Sequence, residues 1–147
     1  MPAFRSVDDI LDFAIAQENE DHDFYTNLAE HVRNAELRET VKSFAIDELQ
    51  HAVRLQAIKA GEAEFLQGEV GSLDIAASTT EVQPHPKMSY ADLLVIAMKR
   101  EKAAFRLYTN LASIARNPES RDTLLSLARE EAQHKLRLEL EYDWVSS

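Results

Sequence analysis

The 147-residue chain contains no cysteine, which excludes disulfides, thiolate zinc sites, iron–sulfur clusters and a cysteine nucleophile. Any metal it binds must be held by nitrogen and oxygen. Glycine and proline are scarce, at three and four residues, and strand-like alternation is missing. Apolar residues instead recur at spacings of three and four through most of the sequence, which is an all-helical pattern. No run approaches the roughly 20 apolar residues of a membrane span, and Met1-Pro-Ala-Phe-Arg-Ser6 lacks the apolar stretch of a signal peptide. The expectation is a soluble, cytoplasmic protein with no membrane partner. Basic residues are outnumbered, giving a formal net charge of -10, so a phosphate-binding surface and a nucleic-acid partner are not expected. With 45% apolar residues, one domain over residues 1–147 can bury a core without covalent staples.

The chain is internally duplicated. Residues 6–55 align without a gap on residues 89–138, and about 22 of these 50 positions are identical, including Tyr25-Thr-Asn-Leu-Ala29 against Tyr108-Thr-Asn-Leu-Ala112. Ser6-x-x-Asp9 and Ser89-x-x-Asp92 both read as capping boxes. Each repeat breaks at Arg33-Asn34 or Arg116-Asn117, where asparagine suits an N-cap and Pro118 suits the first helical position. Helices are therefore predicted at 7–32, 35–60, 90–115 and 118–143. Repeat one spans 6–60 and repeat two 89–143. Residues 61–88 hold all three glycines and form a connection long enough to cross a bundle.

Ionisable residues interrupt the predicted inner stripes. The first helix reads Leu11, Ala14, Ile15, Glu18, Tyr25, Leu28, Val32, and the third Leu94, Ala97, Met98, Glu101, Tyr108, Leu111, Ala115. The second reads Val41, Phe44, Ala45, Glu48, His51, Leu55, Ile58, and the fourth Leu124, Leu127, Ala128, Glu131, His134, Leu138. No lysine or arginine falls on these stripes. A lone glutamate there would read as a tilted, solvated side chain, and a lone histidine as a packing residue. Four uncompensated carboxylates in one core, however, would each cost several kcal/mol. Two divalent cations would balance them, with neutral imidazoles completing the coordination. Glu18 lies as far before its turn as Glu48 and His51 lie after theirs, and the second repeat keeps the same register, so the six groups share one level. One glutamate from each of two helices plus Glu-x-x-His from each of the other two is the ligand set of di-iron and di-manganese carboxylate bundles.

At these residues the sequence resembles the rubrerythrin and ferritin-like family, over both repeats. The resemblance implies a ferritin-like four-helix bundle of two helix hairpins with a long crossover between helices two and three. It implies two metal ions, iron first, although this donor set also accepts manganese or zinc. Glu48 and Glu131 would bridge the metals, Glu18 and Glu101 would be terminal ligands, and His51 and His134 would each supply one nitrogen. Tyr25 and Tyr108 would hydrogen-bond the site as catalytic residues; read from the residues alone they are equally core aromatics. The implied activity is reduction of peroxide or dioxygen, with electrons from an external donor because no cysteine-bound rubredoxin module is present. An iron-binding or ferroxidase storage protein and a non-catalytic structural metal bundle are the alternatives, and a homo-oligomer, with a dimer favoured, is the expected assembly.

Two departures from the family pattern are visible. Rubrerythrins usually carry a further glutamate three residues after the terminal glutamate of the third helix, where this chain has Ala104; the related position in repeat one is Asp21, beside His22. Either could replace the missing ligand from the opposite side, but for Asp21 surface exposure is expected, and for His22 packing. Asp47 and Glu130 could accept hydrogen bonds from the ligand histidines, or lie on a solvated face. Gly71-Ser-Leu-Asp-Ile75 resembles the short peptides that tether ferritin-like cargo inside encapsulin shells, but those normally lie at a chain terminus.

Overall fold

The computed structural model describes residues 6–61 and 88–147. The connection expected at 61–88, with its Gly71–Ile75 segment, lies almost wholly outside the described residues. Four helices run in chain order: α1 Val7–Ala29, α2 Ala35–Ala60, α3 Tyr90–Ile114 and α4 Pro118–Ser146. The fold class is all-α, with no strand among the described residues. None of these helices is long and apolar enough to cross a membrane.

The chain divides into two compact units, Met1–Val70 and Gly71–Ser147, each containing one helix hairpin. In the first, the Ser6 hydroxyl accepts the Asp9 N–H, satisfying a donor that the first turn leaves without an intrahelical acceptor. α1 stops at Ala29 rather than 32. There the pattern tightens to i−3 bonds, from the Glu30, His31 and Val32 amides to Asn27, Leu28 and Ala29, which is the geometry of a 3₁₀ ending. Val32 stays buried as expected. Arg38 reaches back from α2 and donates to the Val32 and Arg33 carbonyls, so the turn keeps acceptors occupied without a glycine. Asn34 caps α2 through the Leu37 N–H.

The second unit repeats this plan. Ser89 and Asp92 form the full reciprocal capping box, Asn117 accepts the Glu119 N–H, and Pro118 occupies the first helical position, where its missing N–H costs nothing. α4 runs three residues past its predicted end, to Ser146.

Both hairpins are antiparallel and closely registered. In the first, Lys59 at the end of α2 meets Asp12 and Asp8 near the start of α1, and His22 Nδ1 lies 2.9 Å from the Ala45 carbonyl, which requires the Nδ1–H tautomer. In the second, the Tyr90 hydroxyl donates to Glu141 at 2.9 Å. Core residues of the first unit include Ile10, Leu11, Tyr25, Leu28, Val41, Phe44 and Leu55, and of the second Leu94, Leu111, Leu124, Leu127 and Leu138. Ile15 and Met98, expected on the inner stripes, are only half-buried.

Candidate metal centre

Each hairpin gathers the three ligand candidates predicted for its repeat. In the first unit Glu18 of α1 and Glu48 and His51 of α2 are all completely buried. His51 Nδ1 lies 2.8 Å from Glu18 Oε2 and 3.2 Å from Glu48 Oε1. Helical geometry explains the pairing within α2, since residues three apart project from adjacent turns of one face. The hairpin register then brings Glu18 to their level. In the second unit Glu101 and Glu131 are completely buried and His134 is 5% exposed. His134 Nδ1 lies 3.4 Å from Glu101 Oε2 and 3.8 Å from Glu131 Oε1. The same register therefore produces a triad opened by about 0.6 Å relative to the first.

The donor chemistry fits a divalent cation. Within each triad one ligand atom per residue falls within 4.8 Å of the others, while ligands about 2.1 Å from a metal stand at most about 4.2 Å apart. A small contraction closes either triad around an ion. Both histidines present Nδ1 to the carboxylates, so Nδ1 is the nitrogen available to an ion held there, which would leave Nε2 to fix the ring.

Tyr25 and Tyr108 are both buried. Tyr25 packs edge-on against Phe24 and Phe44, with ring centroids 5.5 and 5.6 Å away, an arrangement that holds its ring rigidly in the core.

Two residues differ from the sequence reading. Asp21 was expected at the surface but is 2% exposed. It continues the inner stripe of α1, three residues after Glu18 and four before Tyr25, and the helical period alone marks that position as inward. Its carboxylate is not among the clustered donors found in the described residues. His22 packs as expected, half-buried against the α2 backbone. The second residue is Arg100, 5% exposed. It lies beside the stripe read as free of cations, in a row with Leu93, Ile96, Ala103 and Leu107 that α3 also buries. Ala104 is buried as well, so no carboxylate enters the second triad from that position. Asp47 and Glu130 are half-buried, and the Ser126 hydroxyl lies 3.4 Å from Glu130.

The comparisons with known proteins agree with this geometry. The rubrerythrin family pattern matches residues 9–142. A Thermotoga maritima protein described as ferritin-like and diiron-carboxylate is similar at 27% identity and a TM-score of 0.77, with 100% of both chains covered. A hypothetical protein from Pyrococcus furiosus is similar at 26% identity and a TM-score of 0.74, with 94% of this chain and 89% of the other covered. Among curated proteins none matches the chain. With nearly the whole chain inside the family pattern, an all-α fold shared with ferritin-like diiron-carboxylate proteins and a buried Glu, Glu-x-x-His triad in each repeat, the chain belongs to the rubrerythrin family.

Proposed function

We propose that Glu18, Glu48, His51, Glu101, Glu131 and His134 together hold two iron ions, and that the protein is an oxidoreductase reducing peroxide or dioxygen with electrons from an external donor. The observation that carries this reading is the convergence, in each repeat, of two buried carboxylates and an imidazole Nδ1 within coordination distance of one another. Charge supports it as well. Among the described residues the buried ionisable groups are five carboxylates and one guanidinium, besides the two histidines, a net of four negative charges that two divalent cations would offset.

In this reading Glu48 and Glu131 would be shared by the two ions, Glu18 and Glu101 would each serve one, and each histidine would complete one site. When bound, a ferrous pair supplies two electrons to an oxidant. Tyr25 and Tyr108 orient the carboxylates by hydrogen bonding, and the surrounding leucines exclude bulk water. The absence of cysteine from the sequence supports an electron source outside this chain.

Ala104 favours a second reading. Without a carboxylate there, the advantage of peroxide over dioxygen falls, and ferroxidase chemistry on incoming iron becomes the competing function. Anaerobic Fe(II)-loaded protein mixed with each oxidant, then supplied with a reductant, separates the two. Repeated peroxide turnover supports the first reading, and retention of many iron atoms per chain the second. No oxidation by either oxidant leaves a structural metal bundle.

We propose further that the protein assembles as a homodimer. The exposed apolar residues Ile46, Leu49 and Val53 on α2, and Leu136, Leu140 and Trp144 on α4, support this because each set follows helical spacing along one face. Light scattering on the eluting protein gives the assembly mass directly; a monomer at all concentrations refutes it.

A further inference from the structure

A groove of about 380 Å³ lies on the second hairpin, lined by Lys102, Phe105 and Arg106 of α3 and Ala132, Lys135 and Glu139 of α4. Its volume is in the range of small-molecule sites. Phe105 is 39% exposed and, with the small Ala132, supplies an apolar floor. Three cations surround it on a chain whose net charge is -10. Lys135 is tied to Glu139 at 3.0 Å. Among the described residues no carboxylate is paired with Lys102 or Arg106.

The first repeat provides an internal control. The residues equivalent to Lys102, Arg106 and Lys135 are Asn19, Asp23 and Ala52, and Leu49 replaces the small Ala132. Positive charge and space have thus been placed together on one copy of a duplicated surface. The first unit has a groove of its own, of about 510 Å³, nearer the turn. Of its cations, Arg38 is held by the Val32 and Arg33 carbonyls and Lys42 by Glu39 at 3.1 Å, much as Lys135 is by Glu139, so the contrast rests on Lys102 and Arg106, which are paired with no carboxylate among the described residues.

From this contrast we infer that the groove of the second hairpin binds a ring-bearing anion, its planar ring over Phe105 and Ala132 and its phosphate or carboxylate between Lys102, Arg106 and Lys135. Arginine suits both parts, since its planar guanidinium stacks on rings and takes a phosphate in a two-pronged bond. Lysine ammoniums add charge attraction beside the exposed ring. The inference does not rest on the metal reading, although Lys102 and Lys135 directly follow Glu101 and His134 in the sequence.

The test uses flavin mononucleotide as the probe, because riboflavin carries the same ring without phosphate. Titrated into the full-length protein as purified and followed by flavin fluorescence anisotropy, the nucleotide should saturate at one per chain. Riboflavin should bind roughly tenfold more weakly or worse, and added salt should weaken the nucleotide further, as expected for a half-open charged site. Converting the groove to its first-repeat counterpart with Lys102→Asn, Arg106→Asp and Lys135→Ala should abolish binding, with helix content from circular dichroism showing that the variant is folded. Phe105→Ala should weaken the nucleotide without changing the weak competition by inorganic phosphate. Equal binding of riboflavin, retained binding in the triple variant or absence of saturable binding overturns the inference. So does self-association that the triple variant abolishes while the nucleotide fails to bind, which would assign the groove to an acidic face of a second copy.

Discussion

The two repeats keep the same spacing of candidate ligands and differ in the charges set around it. Among the described residues the first unit buries three carboxylates, Glu18, Asp21 and Glu48, whereas the second buries two, Glu101 and Glu131, together with Arg100. Asp21 faces inward where the second repeat has Ala104, and Arg100 stands where the first repeat has the half-buried Gln17. The first triad is also tighter, with His51 Nδ1 at 2.8 Å from its terminal glutamate against 3.4 Å for His134. Coordination constrains the ligands because each must present a donor atom at a fixed distance. It constrains the neighbouring charges only through their sum, so those are free to diverge.

The comparison breaks most visibly if the ligands are not shared. Glu48→Ala and Glu131→Ala are each expected to lower affinity for both metal ions, on the order of 100-fold or more. His51→Ala and His134→Ala should mainly weaken one ion. Metal titration followed by elemental analysis checks this. If Glu48→Ala affects only one ion of two, the repeats hold independent single-metal sites and the bridging assignment is wrong.

The charge asymmetry can be sharpened in both directions. Ala104→Glu places a second-repeat carboxylate where the first has Asp21. Uncompensated, it should destabilise the metal-free protein by about 2 kcal/mol or more, and added divalent metal should recover part of the loss. Arg100→Met keeps most of the buried volume while removing the charge, and about 2 kcal/mol of destabilisation is expected from the partners it leaves. Thermal unfolding with and without metal measures both. Equal stability of Ala104→Glu and the parent without metal would show that the second unit tolerates charge as readily as the first.

The repeat, the helix starts and the inward, clustered placement of Glu18, Glu48, His51, Glu101, Glu131 and His134 are legible in the sequence because they rest on local rules. Caps are read from Ser6, Asn34, Ser89, Asn117 and Pro118, and an inward glutamate from its place in a 3.6-residue period. Asp21 and Arg100 are the exceptions because residue type and period point in opposite directions there: an aspartate ordinarily faces solvent, yet the period turns Asp21 inward, and Arg100 lies one step off the stripe on a row that α3 also buries. The end of α1 was missed for a different reason. The switch to i−3 bonds at Glu30–Val32 is followed by carbonyls that Arg38 satisfies by reaching back from the next helix, and no local pattern announces that. The groove of the second hairpin is illegible for the same reason, since Phe105 and Ala132 line one groove only when α3 and α4 pair.

The smallest expected difference lies at the open ends of the hairpins, far from the turns. The first is closed by Lys59, 2.6 Å from Asp12 and 3.7 Å from Asp8. The second is closed by the Tyr90–Glu141 hydrogen bond. Hydrogen bonding to Asp12 is the main cause raising the Lys59 pKa above its ordinary 10.5, so its stabilisation is complete below the unfolded value and is lost as pH rises through the folded one. Burial, followed by the Glu141 bond, raises the Tyr90 pKa above its ordinary 10.0. That contribution is likewise complete below the unfolded value and fades as the folded phenol ionises. At neutral pH both are therefore intact, and salt rather than pH distinguishes them. Lys59→Met should lower the melting temperature slightly at low salt and not at high salt, because an exposed ion pair is screened. Tyr90→Phe should cost about 1 kcal/mol, with little salt dependence, because a half-buried hydrogen bond is not formed by two opposite charges. Melting curves of both variants across a salt series provide the check, and a salt-independent loss in Lys59→Met would mean that its aliphatic stem, rather than its charge, closes the first hairpin.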